Sequence, residues 1–313
     1  MPATLLVTNP FHAPTIEALF KDYDCHAYWE ADDPDALLAQ IADTTTVIVT
    51  SGGRGVPNSV IDRLPNLKLI ACFSVGVDSI DVRHANSRGV IVTNTPDVLV
   101  DDVADLALGL ALATIREICV NDAYVREGRW AEKLYGLTAS FQARRVGIIG
   151  LGRIGQAIAR RCEAFNASIA WHGPRAKPEI AYPYFADAVE LARHVDVLVA
   201  ACPGGPATQG IVSREVLEAL GADGIFVNIS RGSVVDEPAL IEALREGKIA
   251  GAGLDVFHNE PKIDHAFAHL PNVVLQSHMG SATHRTRALM GELVRRNVDS
   301  FLQGKGPVTP VTG

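Results

Sequence analysis

The chain has little cysteine: five residues among 313 (Cys25, Cys72, Cys119, Cys162 and Cys202), odd in number, far apart and without a CxxC pair. That excludes a disulfide framework and fits a reduced, cytoplasmic compartment. Long apolar runs are also missing. The longest, Leu106 to Ile115, is ten residues closed by Arg116, against the roughly 20 needed to cross a bilayer, so no membrane is expected as a partner. The opening MPATLLVTNP has neither a basic segment ahead of an apolar stretch nor a small-residue cleavage site, and export is not expected. Positive charge is in deficit. With Lys+Arg 28 against Asp+Glu 36, the net charge of −8 leaves no general field for a polyphosphate backbone, which argues against nucleic acid as a partner. Neither HExxH nor GxSxG occurs, no cysteine sits in a local nucleophile signature, and His265 with His269 at i, i+4 lacks an intervening acid and reads as a solvated helix face. No metal is expected.

What is present is the composition of a compact globule of about two domains, 48% hydrophobic and 20% charged. In the first hundred residues, short β-branched runs (Leu5 to Thr8, Val47 to Thr50, Leu67 to Phe73, Val90 to Thr93) alternate with helical segments around Ala13 to Phe20, Asn58 to Leu64 and Val82 to Arg88. That alternation predicts a parallel α/β domain. A turn at Thr95 and Pro96 leads into one long helical stretch, Asp97 to about Arg126, with Asp97, Asp101 and Asp102 in its early turns, which reads as an interdomain spacer. The alternation then restarts with six strands: Val146 to Ile149, Ser168 to Trp171, Val197 to Ala201, Ile225 to Ile229, Gly251 to Val256 and Val273 to Leu275. Six is the strand count of a full dinucleotide fold. A last helix, about Thr283 to Leu302, could return to the first domain, so the expected division is 1–98 with 286–313 for a substrate-binding domain and 99–285 for a dinucleotide-binding domain.

Gly150-Leu151-Gly152-Arg153-Ile154-Gly155 follows the strand VGII directly and opens a helix. In that setting the three glycines serve a tight turn, close approach of backbone to a pyrophosphate, and helix-on-strand packing, with phosphate resting on the amide groups opening the helix. About 20 residues on, an acid normally accepts from the ribose 2′-hydroxyl of NAD. Here no Asp or Glu occurs between Glu163 and Glu179, and the strand end reads Trp171-His172-Gly173-Pro174-Arg175-Ala176-Lys177. Arg175 first and His172 second suit a 2′-phosphate, which predicts NADP(H) as preferred cofactor and leaves NAD(H) open.

Three ionisable residues stand at or just after strand ends, where open α/β sheets bind ligands: Arg231 after FVNIS, Glu260 after GLDVF, and His278 after VVLQS. Beside a nicotinamide, Arg231 could grip a carboxylate and polarise the adjacent carbonyl, His278 could deliver the proton, and Glu260 would favour its charged form. Asp255, at its strand end, could accept from the cofactor carboxamide. The plainer alternatives, a surface ion pair for the arginine and a satisfied loop histidine, stay open on these residues alone.

The strings Val146 to Gly155, Asn228-Ile229-Ser230-Arg231-Gly232, Gly253-Leu254-Asp255-Val256-Phe257 with Glu260-Pro261, and His278-Met279-Gly280-Ser281-Ala282-Thr283 together resemble the D-isomer-specific 2-hydroxyacid dehydrogenases. Ser74-Val75-Gly76-Val77-Asp78 and Asn94-Thr95-Pro96-Asp97-Val98-Leu99 look like that family's substrate loop and hinge, so the likeness covers nearly the whole chain. Arg175 and the stretch Pro203 to Thr208 look most like the NADPH-dependent glyoxylate and hydroxypyruvate reductases, including relatives acting on hydroxyphenylpyruvate. The resemblance implies two doubly wound parallel-sheet domains, a Rossmann cofactor domain and a flavodoxin-like substrate domain. It implies Arg231, Glu260 and His278 as catalytic trio, and the backbone of Val75 and Gly76 with Arg231 and His278 as contacts to a small 2-oxo acid. Pro203, Thr208, Ile229, Asp255 and Gly280 are implied as cofactor contacts, and a homodimer through the cofactor domains as the assembly. Two departures stand out: Val100 where many members carry Thr, and Leu134 and Tyr135 where some carry a tryptophan that shapes the partner's pocket. An NAD-linked relative such as phosphoglycerate dehydrogenase, or a cofactor-sensing corepressor on the same fold, are the alternatives.

Overall fold

The computed structural model describes residues 3–311, and the chain divides into two compact units, Met1–Leu99 with Thr283–Gly313, and Val100–Ala282. In the first unit the elements run β1 (Thr4–Val7), α1 (Ala13–Asp22), β2 (Asp24–Ala27), α2 (Pro34–Ile41), β3 (Thr45–Ser51), α3 (Asn58–Asp62), β4 (Leu69–Phe73), α4 (Val82–Ser87) and β5 (Ile91–Thr93). The strands pair in parallel in the order β2-β1-β3-β4-β5, the flavodoxin-like arrangement. β1 and β4 are buried along their whole length because helices cover both faces of a parallel sheet, which is why these strands read as continuous apolar runs.

Two elements of this unit fall outside the sequence expectation. β2 is the edge strand Asp-Cys-His-Ala, partly exposed and without apolar alternation. α2 is only eight residues long, yet it starts from a recognisable signal: the Asp33 carboxylate accepts from the N–H groups of Asp35 and Ala36, and Pro34 occupies the first turn.

The second unit continues with α5 (Val100–Ile115), α6 (Ile118–Arg126), β6 (Arg145–Ile149), α7 (Arg153–Glu163), β7 (Ser168–His172), β8 (Tyr184–Phe185), α8 (Ala188–His194), β9 (Val197–Ala200), α9 (Arg214–Leu220), β10 (Ile225–Asn228), α10 (Glu237–Arg245), β11 (Gly251–Leu254) and β12 (Val273–Leu275). Its all-parallel sheet runs β12-β11-β10-β9-β6-β7-β8. Seven strands replace the expected six: β8 is a two-residue edge strand whose Phe185 lies beside His172, too short to show a pattern.

The expected single helix from Asp97 to Arg126 is corrected in three respects. Asp97 lies outside it with φ 69, and the helix opens at Val100 with Asp101 and Asp102 in its first turn. It is broken at Glu117, whose φ is 50, in a stretch with neither Gly nor Pro to announce it. Nor is α5 a spacer. It packs on the sheet through glycines of β11: a Cβ on Gly253 would stand 2.8 Å from the Leu110 Cβ, and one on Gly251 2.8 Å from the Thr114 methyl. His265 and His269 lie in a short 3-10 turn, not on an α-helical face, with Nε2 of one 3.1 Å from Nδ1 of the other. No helix among the described residues is long and apolar enough to cross a membrane.

After the second unit the chain forms α11 (His284–Leu302), which packs against α1 and β4 of the first unit. Beyond it, the Val311 N–H donates to the Val92 carbonyl at 2.8 Å, so the two ends of the chain build one unit.

Candidate active site

The three strands β10, β11 and β12 are neighbours, and their carboxyl ends present Arg231, Asp255 and His278. Arg231 follows β10 through Asn228, whose side-chain amide donates to the Arg231 carbonyl at 2.9 Å. Gly232 behind it lies so close to Phe257 that a Cβ would meet the Phe257 carbonyl carbon at 1.9 Å. This close approach locks the Arg231 turn against the loop that carries Glu260. That loop is further held by Glu237, a buried side chain whose carboxylate accepts the His258 N–H at 2.9 Å, a residue that sequence reading leaves unassigned.

Glu260 uses both oxygens. Oε1 accepts the Phe257 N–H at 2.9 Å, and Oε2 stands 2.7 Å from His278 Nδ1. A carboxylate only accepts, so Nδ1 carries the proton and Nε2 is left for a reacting group. Partial burial pushes the Glu260 carboxyl up, but the His278 and Phe257 bonds, with the charges of His278 and Arg231, outweigh it and hold the group below its usual range. The structure thus brings together Arg231, Glu260 and His278.

His278 itself stands at φ 59, a left-handed backbone that costs free energy for a residue with a side chain. Asp255 holds it there. The Asp255 carbonyl accepts the His278 N–H at 2.8 Å, while its carboxylate oxygens accept the N–H groups of Met279 and Gly280 at 2.6 and 2.9 Å. Burial pushes the Asp255 carboxyl above its usual range, opposed by those two bonds. The geometry therefore gives Asp255 and Gly280 a positioning task that their strand-end location does not announce.

The glycine loop joins β6 to α7. Gly150 has φ 96, and a Cβ there would stand 2.6 Å from the Cys202 backbone; one on Gly155 would meet the Gly150 carbonyl oxygen at 2.3 Å. A Cβ on Gly152 would meet nothing within 4 Å. Gly152 is also the cap of α7 and offers no side-chain acceptor to the helix's first N–H groups. Open space in front of uncapped amides, where Arg153 and Ile154 begin the helix, fits a pyrophosphate.

At the end of β7 the His172 Nδ1 is 3.0 Å from the Phe185 carbonyl, so that nitrogen is the donor and neutral His172 offers only a lone pair at Nε2. Arg175 is exposed. Lys177, not singled out by the sequence reading, donates to the Leu151 carbonyl of the glycine loop at 2.7 Å; its basic character in the same loop was the available signal. Farther along, the Thr208 hydroxyl donates to the Pro203 carbonyl at 2.6 Å, closing the loop after β9. Ile229 is buried after β10. In the first unit, Val75 and Gly76 directly follow Ser74 at the end of β4.

Residues 108–280 match the family model described as the NAD binding domain of D-isomer specific 2-hydroxyacid dehydrogenases. The chain belongs to the D-isomer-specific 2-hydroxyacid dehydrogenase family. This dehydrogenase is 45% identical over 307 residues to a hydroxyphenylpyruvate reductase of Plectranthus scutellarioides, covering 98% of each chain. It is 44% identical over 307 residues to a glyoxylate/hydroxypyruvate reductase of Arabidopsis thaliana, again with 98% of each covered. Among solved structures it is similar to an NADPH-dependent glyoxylate/hydroxypyruvate reductase of Sinorhizobium meliloti in complex with NADP and malonate, at a TM-score of 0.94 and 40% identity, covering 100% of this chain and 97% of the other. The dehydrogenase is accordingly an oxidoreductase that uses a nicotinamide dinucleotide.

Proposed function

We propose that the protein reduces a small 2-oxo acid (glyoxylate, hydroxypyruvate or a hydroxyphenylpyruvate-like acid) to the D-2-hydroxy acid, with NADPH as preferred reductant. The observation that carries the reading is the 2.7 Å pairing of His278 Nδ1 with Glu260 beside Arg231, which supplies an oriented proton donor and a cation in one place.

Bound NADPH supplies a hydride from C4 of its nicotinamide. Arg231 grips the substrate carboxylate and polarises the neighbouring carbonyl, joined by the backbone N–H groups of Val75 and Gly76. As negative charge grows on the carbonyl oxygen, His278 releases its Nε2 proton to it, while Glu260 keeps the ring oriented through Nδ1. Reduction therefore needs the imidazolium and oxidation the neutral ring. Rates of reduction fall as pH rises, while oxidation of the hydroxy acid gains.

NADPH preference rests on the acid-free stretch after Glu163, on exposed Arg175 and on Lys177 at the glycine loop. Gly150, Gly152, Arg153, Ile154 and Gly155 take the pyrophosphate, Arg175 takes the 2′-phosphate, joined by His172 only when its Nε2 also carries a proton, and Pro203, Thr208, Ile229, Asp255 and Gly280 line the remainder. Residues 1–98 with 286–313 serve as the substrate-binding domain and 99–285 as the cofactor domain.

The assembly is a homodimer through the cofactor domain. Trp130, Leu134 and Leu137 are 60%, 78% and 103% exposed, and Leu137 borders a cavity of about 650 Å³ lined also by Ile115, Val120 and Val274 and by the charged Glu117, Arg144 and Asp196. A second copy would cover the exposed Trp130, Leu134 and Leu137.

An initial-rate screen of glyoxylate, hydroxypyruvate, pyruvate and phenylpyruvate with NADPH and NADH tests the proposal. Turnover of at least one acid, faster with NADPH, is expected. Absence of turnover with all four acids ends the reading, and a preference for NADH ends its cofactor part.

A further inference from the structure

The chain leaving β4 carries two open backbone donors. Ser74, Val75 and Gly76 follow Phe73 directly and are partly buried, yet among the described residues neither the Val75 N–H nor the Gly76 N–H meets an acceptor. Buried backbone donors are almost always paired, so a half-covered pair left open at a strand end is set for an incoming acceptor. The carbonyls of the same two peptide units are already taken. The Ser74 carbonyl accepts the Thr95 N–H at 2.8 Å, and the Val75 carbonyl accepts the Asn94 side-chain amide at 2.8 Å. In a trans peptide the C=O and the following N–H point in opposite directions. Each donor therefore faces away from Asn94 and Thr95, which leave the neighbouring strand β5.

Asn94 is itself fixed from behind. Its backbone carbonyl accepts the Thr309 hydroxyl at 2.6 Å. That hydroxyl accepts from the Asn297 side-chain amide at 2.9 Å, and the Asn297 side-chain oxygen accepts the N–H groups of Val308 and Thr309, each at 2.9 Å. Asn297 lies in α11 and is fully buried, so hydrogen bonds run from α11 through Thr309 to Asn94 and on to the loop after β4. On the β3 side the loop rests directly on Gly52, where a Cβ would stand 2.4 Å from the Ser74 Cβ and 2.7 Å from the Gly76 carbonyl oxygen. A peptide carbonyl only accepts, so Asn94 must turn its NH2 group to Val75; an isosteric carboxylate in its place would set oxygen against oxygen.

We propose that Asn94 is a positioning residue for the substrate carboxylate: by holding the Val75 carbonyl it aims the Gly76 N–H, and beside the Thr95 N–H it keeps the Val75 N–H aimed as well, so that the two donors stand ready before the acid arrives. The inference rests on the 2-oxo acid reductase reading, in which these two N–H groups receive the carboxylate. Asn94 touches no substrate. Its contribution is to spare the bound acid the cost of ordering the loop, and a cost of that kind falls on binding rather than on the chemical step.

The test measures kcat and both KM values for the full chain as wild type, Asn94→Ala and Asn94→Asp. At neutral pH both variants should show a KM for the 2-oxo acid raised roughly fivefold to tenfold, with kcat and the KM for NADPH nearly unchanged. In Asn94→Asp the excess over wild type should shrink between about pH 8 and about pH 5, because a carboxyl group facing a carbonyl takes up a proton more readily than a free one and can then donate to it; Asn94→Ala should show no such recovery. An unchanged KM for the acid, an excess in Asn94→Asp that ignores pH, or a loss shared equally by kcat and the KM for NADPH would overturn the proposal, the last marking a merely structural residue. Oxamate, a carboxylate that cannot be reduced, titrated into the full chain and followed by calorimetry gives an answer without turnover. Binding several-fold weaker in Asn94→Asp supports the positioning role even if no 2-oxo acid is reduced, and equal binding, or none to wild type, rejects it even if one is.

Discussion

At the scale of single residues, the His278 ring is held from both sides, by the Glu260 carboxylate at Nδ1 and by Asp255 through the backbone. His278→Gln should lower turnover by roughly 10²–10⁴, the usual worth of a general acid, while leaving dinucleotide affinity measured by fluorescence titration nearly unchanged; full turnover in this variant removes His278 from the chemistry. The Glu260 carboxyl, lowered in the folded protein, adds stability that is present above its unfolded value and lost as pH falls through the folded one. Melting curves should therefore show wild type above Glu260→Gln at neutral pH and the two converging in acid. A gap that persists below the ordinary carboxylate range would contradict the charge argument. Arg231, Glu260 and His278 were legible because each follows an apolar strand at a point where parallel sheets expose chemistry. The roles of Asp255 and Gly280 were hidden, since a left-handed histidine and the bonds that sustain it leave no mark in residue spacing.

At the scale of elements, the strand-loop-helix around Gly150 divides its glycines by task. A Cβ on Gly155 collides with the Gly150 carbonyl, whereas one on Gly152 enters open space. Gly155→Ala should thus destabilise the fold by about 1–3 kcal/mol, the ordinary cost of overpacking. Gly152→Ala should melt close to wild type while its KM for NADPH rises steeply. The reverse pattern would mean that the turn, not the ligand, needs Gly152. Buried strands announced themselves as apolar runs, but edge strands did not: β2 shows no alternation and β8 has two residues. The break between α5 and α6 was equally hidden, because Glu117 adopts its left-handed conformation in a stretch of ordinary helix formers and tertiary packing decides it.

At the scale of the whole molecule, the exposed Leu137 ties the proposed assembly to one surface. Leu137→Asp should shift sedimentation from dimer to monomer, and an unchanged dimer would place the interface elsewhere. The thiols of Cys25, Cys162 and Cys202, which burial pushes up to about 12, about 12 and about 11, should resist Ellman's reagent at neutral pH until the chain is unfolded. The discontinuous first unit has a further consequence for biosynthesis. Val100–Ala282 is one uninterrupted stretch and can close while the ribosome is still at work, since domains form as units during translation. The stretch ahead of it, although made before it, must wait for α11 and Val311 to emerge, so the unit begun before the other is completed after it.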